Sequence, residues 1–130
     1  MSAPEFEISA AHALVRLQAT LAYADAGPDA SRIALYDVAE QLLVTLTLTK
    51  PCGQIAADGA LVLTQANAGG DLILTSGQAV SGVWISGGGK LVGRGLVTDE
   101  AGAGHFKLLG STGTQLYAGG RAILGETRID

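Results

Sequence analysis

The sequence predicts an all-β domain: an antiparallel β-sandwich or small barrel of about nine short strands at roughly 8–12-residue spacing. Three observations lead there. Apolar residues alternate with polar ones, which sets the two groups on opposite faces of a strand. Glycine accounts for 19 of 130 residues, about twice its usual ~7%. The glycines cluster between short apolar runs, the punctuation of a many-turned β protein, and show no Gly-X-Y period. Aromatics make up only 5%, so Leu, Val, Ile and Ala must build the core.

The elements follow in chain order. Residues 1–13 read as an N-terminal arm without periodicity, and residues 14–130 as the β-sandwich domain. Ile8 to Ala13 admits a helical turn. Val15, Leu17, Ala19, Leu21 and Tyr23 share one parity, and Arg16, Gln18, Thr20 and Ala22 the other, which predicts a first strand. A helix competes there, because Leu14, Leu17 and Leu21 also fall at helical spacing; the unbroken alternation favours the strand. Asp25-Ala26-Gly27-Pro28-Asp29 is a turn. Arg32 to Tyr36 is a second strand.

Leu43 to Thr49 carries the strongest strand signal. Val44, Leu46 and Leu48 are expected inside, with Thr45, Thr47 and Thr49 facing water. Pro51-Cys52-Gly53 is expected to end it. Leu61-Val62-Leu63-Thr64 and Leu72-Ile73-Leu74-Thr75 read as two arms of one hairpin around Asn67, Gly69 and Gly70. Ala79 to Ser86, Lys90 to Thr98, His105 to Leu109 and Arg121 to Gly125 complete the set. Gly93 and Gly95 inside a strand point to a bulge or a close backbone approach.

Composition narrows the function. Eight Lys+Arg against twelve Asp+Glu give a net charge of −4, which argues against a general nucleic-acid binder. The single Cys52 excludes a disulfide framework and a four-cysteine zinc site. The acidic start lacks the pattern of a secretory signal, and no run of about 18 apolar residues suggests a membrane span. Folding in a reducing cytoplasm is the expectation.

Chemical motifs are incomplete. Gly87-Gly88-Gly89-Lys90 is followed by Leu91, and Trp84 stands where a phosphate loop needs its first glycine. No serine lies in Gly-x-Ser-x-Gly, and His12 and His105 are the only histidines. Cys52 reads as a buried, inert thiol. Asp99-Glu100, Asp58-Gly59 and Gly70-Asp71 read as turns. The sequence thus predicts no catalytic residue, metal site or cofactor. Three aromatics are candidate interface residues: Phe6 on the arm, Trp84 and Tyr117. Trp84 lies on the parity opposite Val83 and Ile85, so either Trp84 or that pair faces the core.

The order and texture of several stretches resemble small, mostly uncharacterised structural proteins of tailed bacteriophages and prophages. The stretches are Arg16 to Tyr23, Arg32 to Tyr36, Leu46 to Gly53, Gly59 to Thr64 and Thr114 to Gly120. The resemblance implies a non-enzymatic virion component, docked in multiple copies or as a homo-oligomer on other virion proteins. It implies a tail-tip, baseplate or fibre module first and a capsid decoration protein second. A carbohydrate- or surface-binding module is the alternative from another class.

Overall fold

The computed structural model describes residues 8–129. Its elements are α1 (Ala10–Asp25), β1 (Arg32–Tyr36), β2 (Leu42–Ile55), β3 (Leu61–Gln65), β4 (Asp71–Leu72) and β5 (Gly77–Gln78). They continue with β6 (Ser81–Ile85), β7 (Leu91–Asp99), β8 (Phe106–Leu109), β9 (Gln115–Leu116), β10 (Arg121–Leu124) and β11 (Arg128–Ile129). Nine strands form one sheet in the order β11-β3-β2-β1-β6-β7-β8-β10-β4, and β5 pairs with β9 separately. The all-β class holds, and the sheet curls into a half-barrel. It is mixed rather than wholly antiparallel, because β7 and β8 run parallel.

Alternation in β2 follows the sequence prediction only in part, since Thr45 and Thr49 are half-buried and Leu43, on the threonine parity, is fully buried. Val44, Leu46 and Leu48 are fully buried, and Thr47 is exposed. Leu46, Ile33, Trp84 and Gly93 form one inward row across four strands. Val44, Leu35, Gly82 and Gly95 form the next. Glycine is required at position 82: a Cβ there would sit 2.7 Å from the Phe106 ring. The register slips between Trp84 and Ile85, so β7 bulges beside Gly93, as its glycines suggested.

Three expectations are corrected. Residues 15–23 are not a strand; they belong to α1, whose start at Ala10 also crosses the expected arm boundary at 13. Ser9 caps the helix, its hydroxyl accepting from the His12 N–H at 3.1 Å. Alanine-rich sequence favours the helix, and Leu17, Leu21 and Ala24 at i, i+4, i+7 give it one core-facing stripe. Val15 and Tyr23, which a strand would bury beside Leu17, are 60% and 48% exposed.

The second correction concerns β2, which continues through a cis Lys50–Pro51 peptide to Ile55. Its pairing with β3 shifts register between Leu48 and Gly53, so Pro51 falls where no ladder donor is needed. Third, the two Leu-x-Leu-Thr segments are not a hairpin. β3 pairs with β2 and β11, whereas β4 pairs with β10.

The curl brings the sheet's ends together through residues 121–129. β10 pairs with β8, and β11 pairs with β3. Between β10 and β3 the ladder is missing and side chains take its place. The Gln65 Oε1 accepts from the Leu124 N–H at 2.8 Å, while its Nε2 donates to the Ala122 carbonyl at 3.0 Å and to Asp71 at 2.7 Å. Buried Thr127 completes the seam: its hydroxyl accepts from the Lys107 N–H, and its carbonyl accepts from the Leu63 N–H at 3.0 Å.

At the far end of α1, backbone meets backbone. Gly27, at φ +112°, lies so close to Gly88 that a Cβ would stand 2.3 Å from its nitrogen. The Gly87 N–H donates to the Ala24 carbonyl, and the Lys50 ammonium donates to the Gly27 and Asp29 carbonyls. The triple glycine is therefore a packing contact and not a phosphate cradle.

Candidate functional site

Because inward residues alternate with outward ones, burying Trp84 turns Val83 to the outer face. Register places Ala34, Val83 and Arg94 in one outer row and Tyr36, Ser81 and Leu96 in the next. Tyr36, Ser81, Val83, Arg94, Leu96 and Glu40 line a groove of about 510 Å³. Its floor is apolar, and Leu96 is 67% exposed. Arg94 stands on one side. Glu40 stands on the β1–β2 turn, held at φ +62°. Asp37 builds that turn by accepting from the Ala39 and Gln41 N–H groups. Among the described residues neither Arg94 nor Glu40 has an ion pair. Val38, 88% exposed at the same turn, extends the apolar surface.

The three predicted interface residues separate. Trp84 is 3% exposed and belongs to the core, so it offers no surface anchor. Its indole N–H has no hydrogen-bond partner among the described residues. Tyr117 is 57% exposed and lines a second groove of about 240 Å³ with Ser111, Thr112, Gln115 and Arg121. Phe6 lies outside the described residues. The sequence reading missed Tyr36, Val83, Arg94 and Leu96 as a group. The parity of Val83 against Trp84 carried half of that signal; the register across strands, which assembles the face, was not local information.

The chemical candidates stay apart. Cys52 is buried, and its thiol is pushed up to about 12, first by burial and then by the Asp25 carboxylate. Asp25 accepts from the Cys52 N–H at 3.0 Å, so it serves the backbone. His12 sits in the first turn of α1, and His105 precedes β8; both are exposed. The Asp99 carboxylate accepts from the Ala101 and Gly102 N–H groups and closes its own loop. No group of three metal-ligating side chains occurs among the described residues. No described helix is long and apolar enough to cross a membrane.

Family models, curated proteins and solved structures were all compared with the chain, and none matches.

Proposed function

We propose that the chain is a non-enzymatic structural component of a bacteriophage virion, docked in multiple copies on other virion proteins. The observation that carries the docking role is the outer sheet face: an open apolar groove with Arg94 and Glu40 at its sides, neither in an ion pair among the described residues. Contiguous exposed apolar surface of this kind marks interaction sites. Free charges beside it give a partner its orientation. The virion setting rests on the phage-like stretches in the sequence. Repeated weak contacts in a symmetric particle would add through multivalency. The tail tip, baseplate or fibre is the first placement, and capsid decoration the second.

A photo-crosslinking residue at position 96, in particles purified from the host, tests this. Adducts to another virion protein or to a second copy are expected. A chain missing from the particles, or present without adducts, overturns the proposal. Gel quantitation of the same particles separates the placements: few copies support the tail, hundreds the capsid.

A second reading has its own observation. Exposed Tyr117 beside Ser111, Thr112, Gln115 and Arg121 offers an aromatic face with nearby hydrogen-bonding groups, the chemistry of sugar recognition. A glycan array probed with the whole chain and with Tyr117→Ala tests it. Binding that disappears in the variant supports a carbohydrate module; no binding removes that reading.

A further inference from the structure

The two walls of the outer groove are opposite in sign and alike in plan. On the β7 wall, Arg94 and Leu96 stand two residues apart, so alternation sets both on the outer face. On the other wall, the β1–β2 turn carries Glu40 and Val38. Leu96 is 67% exposed and Val38 is 88% exposed. Each wall thus offers one charge beside one exposed apolar side chain. Tyr36 on β1 and Val83 on β6, both half-buried, form the floor between them.

Glu40 is held on its wall against a local preference. Among the described residues it is the one non-glycine at positive φ, in the left-handed region where glycine sits without strain. Its carboxylate has no hydrogen bond or ion pair among the described residues, because Asp37 supplies the side-chain bonds that build the turn. Strained positions of this kind gather where the side chain is put to use.

A face with one cation and one anion across an apolar floor is complementary to its own copy. In a two-fold interface the same patch serves both subunits. Take the axis that lies in the plane of the face and bisects the line from Arg94 to Glu40. It sets each of these residues opposite the other in the second copy, and turns Val38 of each copy toward Leu96 of the other. An axis along that line would instead set like charge on like. Charge therefore selects the orientation as well as the occupant.

We propose that the outer groove is the interface of a two-fold homodimer, in which Arg94 of each copy pairs with Glu40 of the other across the Tyr36–Val83–Leu96 floor. Resting on the docking role of this groove, the interface takes a second copy as its occupant, whatever particle the chain joins.

Sedimentation velocity of the full chain tests this. A concentration-dependent dimer is expected, and raised salt should weaken it. Arg94→Glu alone and Glu40→Arg alone should each weaken the dimer about tenfold or more, because two like-charged contacts replace two pairs. Far-UV circular dichroism should stay unchanged in both. Mixing the two variants should restore a dimer of parent affinity, since every reversed charge then meets its opposite. A parent chain that stays monomeric at millimolar concentration overturns the proposal. So does a dimer indifferent to both reversals, or a mixture that stays monomeric. In any of those cases, adducts from position 96 to another virion protein would leave the docking role standing, whereas a lack of adducts would remove that role as well.

Discussion

The sheet is interrupted twice, and the two interruptions are treated differently. Between β10 and β3 the lost ladder is rebuilt by Gln65 and Thr127, which meet backbone groups at hydrogen-bond distance. Beside β7, before Val97, no strand or side chain among the described residues rebuilds it. The first break lies against the buried side chains of Leu63, Ala122 and Leu124, where an unmet polar group is costly. The second opens on a cleft with an exposed, charged rim. The contrast teaches that this chain spends polar side chains where the core needs sealing and leaves an edge available where the surface can be used.

The largest effect should come from the core that the sheet encloses. Leu46→Asp puts an unpaired charge among fully buried side chains, at a cost of several kcal/mol, and should prevent folding. Thr47→Asp, one residue on and facing water, should cost about 1 kcal/mol or less in urea denaturation. Equal damage would erase the distinction between inside and outside. Gln65→Leu should come next, at about 2 kcal/mol, because Leu124 N–H and Ala122 C=O lose their partner. Arg94→Glu at the open edge should leave the urea midpoint nearly unchanged. If Gln65→Leu were equally silent, the seam would not be sealed by that side chain.

Cys52 lies next to the α1 terminus and gives a smaller, pH-dependent effect. Its thiol is pushed up to about 12 from an ordinary 9.0. The folded state holds this proton more tightly than the unfolded chain. The stabilisation is complete below pH 9.0 and fades as pH rises toward about 12. Urea midpoints should therefore fall more steeply above pH 9.0 in the parent than in Cys52→Ala. Parallel curves would refute the burial effect. The smallest change should be Leu96→Lys on the outer groove, within about 0.5 kcal/mol in stability. The same substitution should abolish docking in a particle-incorporation assay.

Much of the sheet was legible because its residues alternate for a purely local reason: β-branched threonines suit the wet side of a pleat, and leucines the dry side. The same alternation misled at Val15 to Tyr23. There the deciding signals were the Ser9 cap, the alanine content and a stripe of only Leu17, Leu21 and Ala24. Repeated Leu-x-Leu-Thr motifs misled at 61–75, since pairing β3 to β11 joins residues far apart in sequence. The outer groove shared that difficulty. Its residues come from three strands and one turn, and only register brings Tyr36, Val83 and Leu96 onto one face. Gln65 carries no sequence mark of its role, because its partners lie 57 and 59 residues away.

The glycine contact between residues 27 and 88 limits how this chain can be altered. No side chain fits between those backbones, so the end of α1 cannot slide or swell there. Inserting a fused domain at residues 26–29 should therefore unseat the helix.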